Sequence, residues 1–451
     1  LCKGTPNSTS PEKGKLTLKS ISFSYGNSKK SRLNKYDFTY EENPNYQYNS
    51  CDRWGSYKPN DSNYPNSEFP YAEQDKTLAD TYAKAWNLSR IDLPSGGSIS
   101  VNYEADDYSF VMNKRAMQMI KIVDVVDSTS INNFTTPSSD ETLKLFNNDD
   151  LNEANNYFII DLDGYPIENF VLDQGGRKIE NLYYKGLVKV GKDDDPKYEW
   201  IETYMKILKY DEIGSTGYGY IKVELANLGD RNGSLDVNPV SKAACQFIRI
   251  HLGEMIEGYQ HDSNAELKDE VTRMGAVWDK VVDVFRGANR NLLNQRRARK
   301  ILNGKSFLRL YSPDFVKQGG GHRVASVTVS DNWGDMLGSS TPSEETSVYG
   351  QVYNYTTTKM INGQSKTVSS GVASYEPILG NEENPWREPV YFSNNKKWVA
   401  DDEYYVERPI GESVFPAANV GYSEVNVMNL PHKNIDGNSS RNVTRHATGY
   451  T

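Results

Sequence analysis

The chain has 451 residues, with 60 acidic against 51 basic side chains and a net charge of -9, and its aromatic content is dominated by 31 Tyr. That length exceeds one ordinary core and fits two or three domains of roughly 150 residues each. The acidic balance excludes a general binder of nucleic acid or of anionic membranes, and 25% charged with 12% aromatic residues is too mixed for disorder.

No apolar run approaches the roughly 20 residues that a membrane-spanning helix needs, so no transmembrane helix is expected. The chain starts at Leu1 without a leader pattern and is read as a processed product or a piece of something larger. Cys2, Cys51 and Cys245 have no metal-type spacing, so a disulfide framework is not expected and the compartment stays open on this ground.

Residues 1–14 read as a linker. A first β scaffold segment spans 15–126. It opens with a strand closed at Gly26-Asn27-Ser28, then a strand near Tyr36–Tyr40, then a long Asn-, Pro- and Tyr-rich loop over 43–70. Ala72–Trp86 is expected as a helix, with Leu78, Tyr82, Ala85 and Trp86 on one face. Ile91 and Leu93, Pro94-Ser95-Gly96-Gly97, then Ile99, Val101 and Tyr103 form a hairpin pattern. A further strand is expected after Met117.

The stretch 127–306 reads as an inserted α+β subdomain. Strands are expected at Tyr157–Ile160, Leu182–Val190, Tyr198–Tyr210 and Tyr218–Leu225. Helices are expected near 240–256, with Ser241 as the possible cap, and over 265–302, where Val271, Met274, Val277, Trp278 and Val281 recur at helical spacing. The β scaffold resumes over 307–430, with strands around Leu308, Val324–Val329, Val348–Thr357 and Val420–Val427, and a long loop over 376–402. Residues 431–451 read as a polar tail that continues beyond Thr451. The expected fold class is therefore mainly β, α+β overall, an antiparallel hairpin-rich scaffold with an inserted subdomain carrying the long helices.

Chemical motifs are sparse. No G-x-S-x-G elbow accompanies the five His residues, so no catalytic residue is assigned and enzymatic activity is not favoured. His251, Glu254 and His261 lack the spacing of a metalloprotease helix. Asp161 and Asp163 in the DLDG string are weak cation candidates, set against the favoured reading of an Asp-Gly hairpin turn. Asp193-Asp194-Asp195 reads as a solvated loop. The basic run from Arg286 through Arg290, Arg296, Arg297 and Arg299 to Lys300 reads as a solvated helix face rather than a nucleic-acid site. Trp54, Tyr57, Trp386 and Trp398 are candidates for a glycan-stacking platform, with loop anchoring as the favoured alternative. Nothing in the sequence asks for a cofactor.

Several strings, in order, resemble one family. They are CDRWGSYKPN at Cys51–Asn60, LPSGGSISVNYEADDY at Leu93–Tyr108, GGGHRVASVTVSDN at Gly319–Asn332, YGQVYNYTT followed by SSGVASYEP at Ser369–Pro377, and VGYSEVNVMN at Val420–Asn429. They are similar to the region that precedes or opens the YD-repeat (Rhs-type) shell in giant secreted or surface proteins of the Bacteroidetes. ENPWREP at Glu383–Pro389 and HATGYT at His446–Thr451 are similar to an uncharacterised subgroup of these. The block 127–313 has no place in that pattern. The resemblance implies a non-catalytic scaffold or shell segment for a toxin or adhesin, extracellular or at the outer-membrane surface, whose partner is the rest of a larger polypeptide. It carries over no catalytic residue. Two alternatives stay open: an extracellular carbohydrate-binding or carbohydrate-cleaving module, and a protein-docking component of a secretion or surface assembly that uses the helical insert.

Overall fold

The computed structural model describes residues 17–430 except 25, 28–33, 41–42, 46, 48, 61–69, 231–232, 253–286, 332, 335–337, 339–346, 362, 379, 381 and 395–401. The fold is mainly β, built of antiparallel sheets with few helices, which is the expected class. Among the described residues no helix is long and apolar enough to cross a membrane. The chain divides into two compact units, each gathered from distant stretches of sequence. Unit 1 takes in Leu1–Ala116, Phe315–Asn384 and Glu412–Thr451, and unit 2 takes in Met117–Asp314 and Pro385–Gly411. These bounds differ from the sequence expectation at 117–126, 307–314 and 385–411, all of which go to unit 2. Met117–Val126 and Lys300–Tyr311 do so because they pair with each other inside its sheet.

Unit 1 is organised by a seven-stranded antiparallel sheet in the order Ser20–Ser22, Lys35–Tyr40, Leu88–Asp92, Ser98–Tyr108, Lys317–Ser330, Val348–Asn354, Asn426–Asn429. The two long central strands, Ser98–Tyr108 and Lys317–Ser330, pair antiparallel as the hairpin-rich expectation has it, are most buried where Ala105–Tyr108 meets Lys317–Gly319, and break register between Gln318 and His322. Gly319, Gly320 and Gly321 fill that break at φ of 144°, 113° and 124°, backbone that side chains disfavour. A Cβ at Gly319 would press on the Trp54 indole nitrogen at 2.6 Å, so the missing side chain is what lets the ring lie against the strand.

The first helix, α1 (Lys76–Ala83), is shorter than the expected 72–86. Asp75 sets its start, accepting from Leu78 N at 3.0 Å, and Asp80 ties it to the sheet by accepting from Ala105 N at 3.0 Å. Buried apolar positions in this unit are mostly Ala and Tyr, and its most enclosed centre is polar.

Unit 2 has an aliphatic core. Its main sheet runs Tyr198–Met205, Leu182–Lys189, Lys300–Tyr311, Met117–Val126, Tyr157–Asp161, Tyr218–Val223, Ile207–Glu212. The single strand expected at Tyr198–Tyr210 is thus two, at opposite edges of the sheet. Because only Lys206 separates them, the edges must approach one another, so the sheet curls around its core. Ile122, Phe158, Leu182, Val188, Ile221, Leu308 and Leu310 fill that interior.

The helix α2 (Glu168–Val171) buries Phe170 and Val171, and α3 (Pro239–His251) buries Val240, Ala244, Cys245 and Ile248. Its cap is Asn238, which accepts from Val240 N at 2.9 Å, and not Ser241, which is buried. The long helix expected over 265–302 is corrected where it is described. Residues 253–286 lie outside the described residues, Ala288–Asn294 (α4) is helical, Arg296 and Ala298 take positive φ, and Lys300–Tyr311 is a strand. Pairing on both sides with Leu182–Lys189 and Met117–Val126, with Ile301, Leu308 and Leu310 fully buried, outweighs local helix propensity there.

Candidate functional site

Strings far apart in sequence meet at the polar centre of unit 1. Arg53, from the CDRWG string, places Nη1 3.0 Å from Glu383 Oε2. Lys317 at the start of the long strand reaches Glu376 Oε1 at 2.8 Å and Glu383 Oε2 at 3.1 Å, and Tyr108 OH donates to the same Glu376 oxygen at 2.7 Å. All five side chains are enclosed. Burial, with Glu376 and Glu383 alongside, holds the Tyr108 phenol well above its ordinary range, so it stays a neutral donor.

Beside this lies a second network. Arg323 forks onto Asp107 with two bonds of 2.8 Å and bonds Glu104 at 2.7 Å. Asp107 also accepts from Ser369, Asp106 accepts from Tyr422, and the guanidinium lies 4.3 Å from the Tyr355 ring centre. Burial alone would lower the Arg323 pKa, but Asp107 and Tyr422 outweigh it and hold the charge firmly. These groups are engaged with one another, and their work is to fix four strands.

Unit 2 contains the open site. A hairpin, Glu388–Asn394 with Asp402–Arg408, occupies what the sequence presents as loop 376–402, and the alternation of Val390 and Phe392 with Tyr404 and Val406 is the signal it left. The hairpin is clamped onto α3 and the Tyr198–Met205 strand. Arg249 pairs with Asp402 at 2.7 Å with both side chains buried, Gln246 bonds the backbone N–H and C=O of Glu403, and Tyr204 OH donates to Glu407 at 2.7 Å. Between hairpin, helix and strand lies a cleft of about 880 Å³. Phe247, His251, Tyr391, Phe392 and Tyr404 line it with rings, Phe392 stacking on Tyr404 at 16° and 5.5 Å. Lys242 and Glu403 supply a 2.8 Å ion pair at its wall. Partial desolvation of its half-covered phenol head, with Glu403 nearby, pushes Tyr391 up to about 12 although the ring is half exposed. The described lining offers ring faces together with the polar heads of Lys242, Gln246, His251 and Glu403, which can stack on and hydrogen-bond a ligand.

The residues singled out in sequence are placed differently. Trp54 stands edge-on to Tyr108 at 5.6 Å, and Tyr57 meets Trp86 at 4.9 Å and Tyr82 at 6.0 Å, so both rings are half-buried against other rings of unit 1. Trp386 is half-buried in unit 2, and Trp398 lies outside the described residues. Asp161 and Asp163 form the Asp-Gly turn: Asp161 accepts from Asp163 N at 3.0 Å, with positive φ at Asp163 and Gly164. Among the described residues no three His, Cys, Asp or Glu groups converge as a metal site.

The basic run is also corrected. Arg286 lies outside the described residues, Arg296 pairs with Asp193 at 2.9 Å, and buried Arg297 and Arg299 bond the carbonyls of Val190 and Leu293. The run is therefore a set of internal clasps, and Asp193 is engaged rather than merely solvated. Tyr391, Phe392, Tyr404 and Tyr405 are ring residues that the sequence does not single out, because the stretch carries no Gly turn to announce a hairpin. No protein-family model, curated protein or solved structure matches the chain.

Proposed function

We propose that the chain is a non-catalytic β scaffold segment of a larger secreted or cell-surface polypeptide, of the Rhs-like kind that its strings resemble. The observation that carries this reading is that, among the described residues, no strand pairs with the outer side of either edge of the unit 1 sheet. At one edge Ser20–Ser22 is exposed throughout, and Leu18, Ile21 and Phe23 around it are 50%, 40% and 57% exposed. Near the other, Asn426–Asn429 pairs with Gln351–Asn354 and Leu430 N bonds Gly350 O, while among the described residues Val348 and Tyr349 are 41% and 47% exposed. Soluble proteins protect such edges with charge, proline or a covering element, because unpaired strand groups recruit further strands. An edge that carries apolar residues suits a sheet that continues into neighbouring segments of the same polypeptide.

The test is self-association of the isolated chain. Sedimentation across a concentration series should show association, and Ile21→Lys together with Val348→Lys should abolish it while circular dichroism is unchanged. A chain that stays monomeric throughout, or whose association ignores the two substitutions, contradicts the reading.

A second reading is favoured by one observation, the exposed rings of Tyr391 (53%) and Phe392 (52%) at the unit 2 cleft. Flat rings flanked by paired polar heads suit stacking on a sugar face. A glycan array probed with the chain should then give hits that Tyr391→Ala and Phe392→Ala remove; an array without hits ends this reading.

A further inference from the structure

The Lys317–Glu376–Glu383 contact in unit 1 has the composition and geometry of a reactive site. We propose that Lys317 and Glu376 are joined by an amide bond formed inside the folded chain, with Glu383 as the proton acceptor and Tyr108 as the group that polarises the carbonyl.

The geometry supplies each component. The Lys317 amine is fully buried 2.8 Å from Glu376 Oε1, with neither side chain reached by solvent. Tyr108 OH donates to that same oxygen at 2.7 Å, where a hydrogen bond stabilises the charge that gathers on a carbonyl oxygen under attack. Glu383 Oε2 lies 3.1 Å from the amine, and Arg53 holds it from the other side at 3.0 Å. Glu376 Oε2, by contrast, is buried with no hydrogen-bond partner. A carboxylate oxygen left so is costly in a dry interior, and the condensation expels that oxygen.

The step balances in atoms and charge. In a dry site an ammonium and a carboxylate can exchange one proton to give amine and carboxylic acid, which removes two buried charges. The amine nitrogen attacks Glu376 Cδ, forming the C–N bond. Glu383 takes the proton released from nitrogen and passes it to the departing hydroxyl, so that the C–Oε2 bond breaks and one water leaves. Glu383 ends ionised, as it began, still paired with Arg53. Oε1 becomes the amide carbonyl and keeps its bond from Tyr108. Residues 59 apart in sequence are then tied covalently across the centre of the unit. No oxidant, metal or nucleotide enters the balance.

Intact-mass spectrometry of the denatured full chain tests this directly. The chain is expected to weigh one water less than its sequence, and digestion is expected to yield a branched peptide joining Lys317 to Glu376. Lys317→Arg and Glu376→Ala should each restore the full mass, and Glu383→Gln should leave unreacted chain in at least tenfold excess over its level in the unsubstituted protein. A wild-type chain at full sequence mass overturns the proposal, as does a water loss that maps to other residues or persists in Lys317→Arg. Because the first readout is taken on the unsubstituted chain, a variant that fails to fold does not rescue the idea.

Discussion

Arg323 shows how one side chain can hold several strands at once. It bonds Glu104 and Asp107 on one strand and Tyr422 on another, from a position on a third, and it is largely buried. Removing it leaves Asp107 and Asp106 uncompensated, and breaking a buried pair this way costs about 3–5 kcal/mol. Arg323→Ala is therefore expected to lower urea stability by that order, and Arg323→Lys to recover only a fraction of it, because an ammonium cannot reproduce the fork. Equal stability of Arg323→Lys and the unsubstituted chain would show that charge alone matters.

Asp52 makes a prediction in the opposite electrostatic direction. Burial pushes its carboxyl from 3.8 up to about 6, against the lowering effect of the N–H groups of Ser56 and Trp54. A carboxyl raised by folding contributes stability below its unfolded value and loses it as pH climbs through the folded one. Stability should thus fall between pH 4 and pH 6 by at most about 3 kcal/mol on this residue's behalf. Asp52→Asn keeps an acceptor oxygen and removes the titration, so urea midpoints measured from pH 4 to pH 7 should lose that slope; an unchanged slope would assign it elsewhere. None of these roles is visible in sequence, since one Asp among the 60 acids becomes special only through what encloses it.

At the scale of elements, the long unit 1 strands are legible because period-two alternation and a Gly turn occur together in Leu93–Tyr103. The 265–302 stretch keeps its helical period at Ala288–Asn294 and leaves it after Arg296, where Lys300–Leu302 already belong to the strand that the sequence announces only from Phe307. The Glu388–Arg408 hairpin is hidden because the sequence between its strands holds no Gly or Pro to mark a turn. Its hold on α3 can be tested: Arg249→Ala leaves Asp402 buried without its cation, so amides of Asp402–Arg408 should exchange at least tenfold faster while those of Leu182–Lys189 stay protected. Uniform acceleration in both would mean that the hairpin belongs to one cooperative unit with the sheet. Gly350 offers a backbone test, because a Cβ there would overlap the Val327 carbonyl oxygen, and Gly350→Ala should therefore separate the Lys317–Ser330 and Val348–Asn354 strands. A variant with unchanged thermal stability would show that the strands can shift to admit a methyl group.

For the whole molecule, the broad outline is legible in sequence: a mainly β chain interrupted by a block of different character. The boundaries are not, because strands at 117–126 and 300–311 belong to one sheet by pairing, a long-range property that composition does not record. Two kinds of interior also emerge. Unit 2 is held by aliphatic burial, while the enclosed centre of unit 1 is built from ion pairs and phenols contributed by strings up to 330 residues apart. Such a centre specifies which strands meet more than it drives collapse, as the proposed continuation of the sheet by neighbouring segments would require.

Hydrogen–deuterium exchange on the polypeptide encoded by the whole gene, beside the same experiment on these 451 residues alone, tests that continuation most directly. The edge-facing amides of Ser20–Ser22 and Asn426–Asn429 should be exposed in the isolated chain and at least a hundredfold slower in the larger polypeptide. Identical rates in both, or a gene that encodes nothing beyond these residues, would contradict the scaffold role.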